Sequence, residues 1–431
     1  MVPSRGGSKN YNYRKSIYFG WWVVIVAFLG AFVSSGIGGQ GLGVFLKPMT
    51  KDMGWSRTDL AGVVTLRSIV MGLLGPIFGR VADRGVSGPR MLFVCGGFVA
   101  GLSLLMLSFT SHLWQFYMAF GVLFGLGQAT FGGQAISGAV ISKWFIRFRG
   151  RAMSLFTTGI SLGGVVFVPL SAVLISQFGW KGAWVGLGLV TWVLIIPLSV
   201  KFMYRKPEDI GLLPDGLTTG DDVASGTDGA SSQKSWEVNW TFGEAIRTPT
   251  LWLVTLAFNL MTMSIGAVVL HQVPYLTDKG FTLQAATSVA VLFSTFALIA
   301  KMPWGILSEK YSVRYACVLC FVLGAFGLLL LVIADSIGMA IAFTVVYGLG
   351  AGGEPVLRNV VLADYYGREC QGTIRGAFAP LNAIFLGASP LFAAWVYDTR
   401  GDYDLAYLIL VAGNGLAALF VLLAKPPKRT F

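Results

Sequence analysis

Charge is scarce in this chain. Only 12% of its 431 residues are Asp, Glu, Lys or Arg, whereas 55% are hydrophobic. A water-soluble protein of this length could not cover so much apolar surface, so a soluble enzyme or binding domain is excluded. Imidazoles and thiols are also few, with two histidines and four cysteines. Cys317 and Cys320 form a C-x-x-C, but inside an apolar run and without partner ligands. With the isolated Cys95 and Cys370 they read as small packing residues, so no metal site and no cofactor are expected. No H-E-x-x-H, G-x-S-x-G or P-loop occurs, which leaves hydrolysis and ATP-driven work without residues to carry them. The alternation of a membrane barrel is missing as well.

What is present is a series of long apolar runs. They fall near residues 17–46, 57–80, 90–110, 113–142, 150–177, 182–204, 250–276, 283–308, 313–334, 337–363, 372–397 and 403–424. Each meets the roughly 20 residues needed to cross a bilayer as a helix. The first run is too long for a signal-peptide core and lacks a cleavage pattern, so it is expected to stay as a membrane helix. The chain holds 56 glycines, mostly inside the runs, where small residues let helices pack closely.

One phrase occurs twice. Gly79-Arg80-Val81-Ala82-Asp83-Arg84 closes one run, and Gly305-Ile306-Leu307-Ser308-Glu309-Lys310 closes another. Each has a small residue, an apolar pair, an acid and a base at the same end of a helix. Such internal repetition predicts two similar six-helix halves, an architecture of transporters. The expected division is 1–204 for the first bundle, 205–248 for a linker and 249–431 for the second. Residues 220–235 are rich in Gly, Ser, Asp and Thr, as a flexible linker is. Thr241-Phe242-Gly243-Glu244 predicts a capped short helix, and Thr248-Pro249 the start of the seventh span.

Lys and Arg set the orientation. The loops holding Arg80, Arg84 and Arg90, Lys143 to Arg151, Lys201 to Lys206, Lys310 and Arg314, and Arg368 and Arg375 are far richer in them than the opposite set. Both termini and the repeated phrase are therefore expected in the cytoplasm of a multi-pass plasma (inner) membrane protein. This bias accounts for most of the net charge of +12, so nucleic acid is not an expected partner.

The phrase, the six-plus-six layout and the central linker resemble the major facilitator superfamily over essentially the whole chain. Local features are similar to monocarboxylate porters and oxalate/formate exchangers. These are Gly20-Trp21-Trp22-Val23-Val24, Gly43 to Pro48, Lys143-Trp144-Phe145 with Arg149-Gly150-Arg151-Ala152, and Gly159 to Gly163. Ala363 to Arg368 with Gly372 to Gly376, and Val396-Tyr397-Asp398 with Gly401 and Tyr403, are similar to the bacterial branch. The resemblance implies two six-helix bundles around a central cavity, alternating access and a monomer. It also matches Lys301 to the basic residue that holds the substrate carboxylate in monocarboxylate porters. Two departures stand out. Gln40 lies near the place of a first-helix lysine, and Ala297 replaces the acid one turn before the basic residue.

Charges at membrane depth each need a reason. Lys301 is either an anion ligand or a lysine snorkelling to the cytoplasm. Arg67, midway along the second span, binds an anion, pairs with an acid across the bundle, or plays a structural role. Glu354 and Arg358 share a helix face as i and i+4. They are either a self-neutralising pair or a proton carrier with its partner and anion contact. His271 is a second proton-coupling candidate, with gating or structure as the alternative. Gln40, Gln128, Asn259, Tyr347 and Asn382 either hydrogen-bond a substrate or hold helices together. Asp83, Arg84, Glu309 and Lys310 are the expected gate. With three deep cations against one acid, the expected function is secondary transport of a small organic anion, a carboxylate, proton-coupled or by exchange. The alternatives are a drug or neutral-metabolite transporter and, further off, a non-transporting membrane sensor. No residue set supports an enzyme.

Overall fold

The computed structural model describes residues 18–55, 57–85, 87–216 and 240–427. Among these residues every regular element is helical. Helix α1 comprises Gly20–Val33, a π-helical stretch Ser34–Gly41 and Leu42–Met53. Helices α2 and α3 are Arg57–Asp83 and Gly88–Leu107. Helix α4 is assembled from Leu113–Phe116, a π-helical Tyr117–Phe124, Gly125–Phe131 and Gln134–Trp144. The run Arg149–Phe202 holds both α5 and α6, divided at Gly179, whose φ of 68° suits only glycine. The second half has α7 Pro249–Asp278, α8 Leu283–Lys310, α9 Val313–Val332 and α10 Ile337–Tyr366. Helix α11 is Gln371–Ala377 continued by Ala379–Arg400, and α12 is Asp404–Leu423.

Among the described residues ten helices are singly long and apolar enough to cross a membrane. The fused α5–α6 run counts once among them and the segmented α4 not at all, so the described residues make twelve crossings. Three spans differ from expectation. The first continues through Pro48 to Met53. The fourth is interrupted at Gly132 and Gly133, where the backbone turns extended before Gln134. Between the fifth and sixth there is a single-residue break instead of a loop. Large apolar side chains such as Leu73, Val165, Phe178 and Leu391 are exposed, as a surface solvated by lipid requires.

The crossings form two bundles. In the first, α1 packs on the α5–α6 run and α3 packs on α4 and on that run; in the second, α9 packs on α10 and α12. The halves meet along α2–α11 and α5–α8. Both seams are backbone against backbone. A Cβ on Gly79 would stand 2.1 Å from the Gly372 carbonyl oxygen, and one on Gly150 2.0 Å from that of Gly305.

The face bearing the repeated phrase, here called the basic face, is covered by short connections. The cap at Thr241 forms as expected: the Thr241 N–H donates to Glu244 at 2.8 Å and the Glu244 N–H to Thr241 Oγ1 at 3.3 Å. Asp215 accepts from the backbone N–H groups of Ile146, Arg147 and Phe148 at 3.0, 2.8 and 3.2 Å. It thereby ties the chain leaving α6 to the α4–α5 turn. Arg368, between α10 and α11, donates to the Lys143 carbonyl at 3.0 Å and to Glu208 at 2.6 Å. The expected linker core, residues 220–235, lies outside the described residues.

Candidate functional site

Asp83 ends α2 against the start of α11 in the other half. Its carboxylate accepts from Lys143 Nζ at 2.7 Å, the Thr373 N–H at 2.7 Å, Thr373 Oγ1 at 2.9 Å and the Gly372 N–H at 3.2 Å. The first N–H groups of a helix lack intrahelical acceptors and carry positive partial charge, so this acid caps α11 while pairing with α4. Glu309, at the matching place in the second half, accepts from the Arg151 N–H at 2.8 Å and pairs with Arg151 Nε at 2.9 Å. Arg149 pairs with Asp364 at 2.5 Å. Each acid of the repeated phrase thus crosses to the other half. Arg84 and Lys310 do not: both are exposed and, among the described residues, neither pairs with a carboxylate. The bases paired at this face are Lys143, Arg149 and Arg151, which in the sequence read as orientation charges and as part of a porter-like motif, not as partners of these acids.

Beyond the shut face lies a cavity of about 430 Å³ between the halves. Its wall includes Arg67, Gln128, Asn259, Arg358, Arg375 and Asn382, and among the described residues no acid. The π-helical stretch of α1 shapes one side. A wider helix leaves carbonyls open to outside donors, and two residues use them. Arg67 Nη1 donates to the Gly38 carbonyl, and Gln128 Nε2 to the Ser34 carbonyl at 2.8 Å. A Cβ at position 38 would stand 2.6 Å from Gln128 Nε2 and 2.9 Å from Arg67 Nη1, so any larger residue would displace both side chains. Arg67 is 7% exposed, and its buried Nε has no hydrogen-bond partner.

On the other side, Arg358 Nη2 pairs with Glu354 at 2.6 Å and donates to the Phe258 carbonyl at 2.9 Å and Thr262 Oγ1 at 2.5 Å. Its Nε is also buried without a partner. Asn382 donates to Asn259 Oδ1 at 3.0 Å, joining α11 to α7 within the wall. Arg375 was not a site candidate in the sequence, where it counts as a loop base at the edge of the eleventh span. The structure buries it in the wall. It donates to Gln371 Oε1 at 3.0 Å, to the Asn359 side chain and carbonyl, and to Ser142 Oγ of the first half at 3.2 Å. All its acceptors are uncharged.

Other candidates fall elsewhere. Lys301 is 4% exposed and faces α5, not the cavity wall. Its Nζ donates to the Thr157 carbonyl at 2.7 Å and Ser161 Oγ at 2.8 Å, while Ser154 Oγ donates to the Lys301 carbonyl at 2.7 Å. This lysine joins the two halves instead of snorkelling. Glu354 stands behind the wall, between Arg358 and Thr262. Tyr347 is fully buried in the second bundle with its hydroxyl 2.8 Å from Ser264 Oγ, a contact that holds α10 to α7. His271 is buried with its ring 5.2 Å from that of Tyr403, away from the cavity wall. The side chain of Gln40 lies outside the described residues.

A cavity walled by arginines and amides at the join of two helix bundles, with contacts that cross the join at one face, is the geometry of a membrane solute transporter. The chain belongs to the Major Facilitator Superfamily, whose model matches residues 23–290 and 252–431. It is homologous to monocarboxylate transporters. It is 26% identical to monocarboxylate transporter 12 of Rattus norvegicus over 397 residues, 86% of this chain and 80% of that protein. With monocarboxylate transporter 2 of Homo sapiens it shares 25% identity over 438 residues, 95% of this chain and 88% of that one. Among solved structures, a variant of the E. coli fucose:proton symporter superposes with a TM-score of 0.68 at 12% identity, covering 94% of this chain and 99% of that one. The human organic anion transporter MFSD10 gives 0.67 at 17% identity, covering 93% and 99%. At these identities the superpositions speak for the fold alone.

Proposed function

We propose that this protein is a secondary transporter of a small organic anion, a carboxylate, working by alternating access with its basic face in the cytoplasm of a plasma or inner membrane. The observation that carries this reading is the cavity wall, with three guanidinium groups and, among the described residues, no carboxylate. In a low-dielectric site such a wall attracts an anion and leaves a neutral solute or a cation without compensation for it. The names of the monocarboxylate transporters support a carboxylate. Excess Lys and Arg on the basic face support its cytoplasmic placement. The test is counterflow of labelled carboxylates in proteoliposomes, with thermal stabilisation of the purified protein as a second readout. A ligand at about 100 times its Kd should add roughly 2.7 kcal/mol of stability. Stabilisation and counterflow by a neutral solute, with none by any carboxylate, would overturn the reading.

Coupling is assigned to Glu354 with Arg358. A substrate anion reaching Arg358 competes for the guanidinium that Glu354 holds at 2.6 Å. A carboxylate left in the cavity without its cation is neutralised by a proton, which links anion arrival to proton arrival. Glu354→Gln should reduce pH-driven accumulation to simple equilibration while anion exchange continues. Accumulation by the mutant under a pH gradient alone would pass the role to His271.

Lys301 acts in the gate in this conformation, because its ammonium is engaged by α5. Removing it in Lys301→Ala takes away two charge-assisted bonds across the seam. This should weaken the closed state by about 2 kcal/mol, roughly thirtyfold in population. The measure is alkylation of a Ser142→Cys reporter from the basic face, with anion affinity in parallel. Unchanged alkylation together with lost affinity would make Lys301 a substrate ligand instead.

A further inference from the structure

Net charge and shape of the cavity say more than its sign. Three arginines line it, and one of them, Arg358, is matched by Glu354. Among the described residues no carboxylate lies within ion-pair range of Arg67 or Arg375. Two positive charges therefore remain uncompensated in the wall. A singly charged ligand would leave part of this charge unanswered.

The charges are also spread along the cavity. On α11 the wall runs from Arg375 to Gly387, about 18 Å at the helical rise. Register between the seam helices follows from their contacts, with Gly72 against Ala383 and Gly75 against Ala379. Arg67 lies a further turn and a half along α2 from Gly72, about 7 Å beyond that contact. Its backbone is thus level with the Gly387 end of the strip, while Arg375 marks the opposite end beside the shut gate. Arg358 sits between them in depth, about 12 Å from the Tyr366 end of α10. Arg67 is nine-tenths buried; among the described residues its guanidinium hydrogen-bonds the Gly38 carbonyl of α1 and lies over the Phe120 ring, and its Nε has no hydrogen-bond partner. Arg358 likewise has an unpartnered Nε.

We propose that the transported ligand is an elongated dianion, a dicarboxylate whose two groups are separated by a carbon chain. One group is held by Arg67 at the upper end of the cavity and the other by Arg358 and Arg375 toward the gate. This rests on the organic-anion reading above and sharpens it. One group comes to each bundle, since Arg67 belongs to the first and the other two to the second. The uncharged amides of Gln128, Asn259 and Asn382 lie along the length of the ligand, where its chain needs no counter-charge.

The experiment is calorimetric titration of the full-length purified protein with three probes. Suberate carries two carboxylates separated by six methylenes, succinate two separated by only two, and octanoate one. Suberate should bind at least about tenfold more tightly than either of the others. In Arg67→Gln, suberate should weaken by about ten- to a hundredfold, to the level of octanoate, while octanoate itself changes little. Arg67→Lys, which restores the charge without the fork, should recover part of the preference and guards against a simple folding defect. Octanoate binding as tightly as suberate would overturn the dianion, and so would equal losses for both probes in Arg67→Gln. Succinate matching suberate would overturn the spanning geometry. Failure of all three probes to bind, with a neutral solute binding instead, would remove the organic-anion reading itself.

Discussion

Replacing Gly150 with valine should lower transport by about a hundredfold and leave the basic face open. The β-carbon alone would stand 2.0 Å from the Gly305 carbonyl oxygen and 2.6 Å from Ser308 Oγ. A backbone oxygen cannot rotate aside as a side chain can, so α5 and α8 must separate for the side chain to fit. Overpacking of this sort costs about 3 kcal/mol, enough for a hundredfold loss of the closed state. The rate is read in proteoliposomes, and closure by alkylation of Ser142→Cys in a background without Cys95 and Cys370. Unimpaired transport by Gly150→Val would mean that these backbones do not meet during the cycle. Gly305→Ala should behave similarly, since its β-carbon would lie 2.5 Å from the Gly150 carbonyl oxygen.

Asp83→Asn should have the second largest effect. Asp83 is an acceptor for four donors at once, and a carboxylate alone can serve them all. An amide keeps one oxygen and turns an NH₂ group toward donors, so at least one N–H of α11 faces another donor. Lys143, with a side chain 3% exposed, is left as a buried charge without its partner. Breaking such a pair costs roughly 3–5 kcal/mol, less whatever the relaxed gate recovers from water. Ser142→Cys should therefore be alkylated roughly a hundred times more readily in the Asp83→Asn background, with anion affinity little changed. Equal alkylation would reduce the repeated phrase to a packing device. The matching Glu309→Gln change should be much milder, because its partner Arg151 is 45% exposed and water screens the pair.

The crossings, the repeated phrase and the acids that meet the opposite half are legible in the sequence, because hydropathy and a repeated phrase depend only on neighbours along the chain. Which way each residue faces is not. Helices surrounded by lipid and by other apolar helices carry no strong one-sided pattern, so the cavity face has no periodic signature. That is why Arg375, four residues into its helix, passes for a loop base, and why Lys301 looks like a wall residue when it is turned to α5. Arg67 and Arg358 are legible as costly buried charges, and the structure brings both to one cavity. Lys143, Arg149 and Arg151 could not be singled out in the sequence, since their partners Asp83, Asp364 and Glu309 lie far along the chain and come near only in the folded structure.

Where the two seams approach most closely they are main chain on main chain, whereas the cavity between them is walled largely by side chains. Main chain is the same whatever the residue, provided nothing larger than glycine intrudes. These close approaches therefore constrain the helices and not the wall, although Arg375 also reaches across the join to Ser142 Oγ. Exchanging Arg67 or an amide of the wall should alter what binds without disturbing the main-chain contacts of the seams.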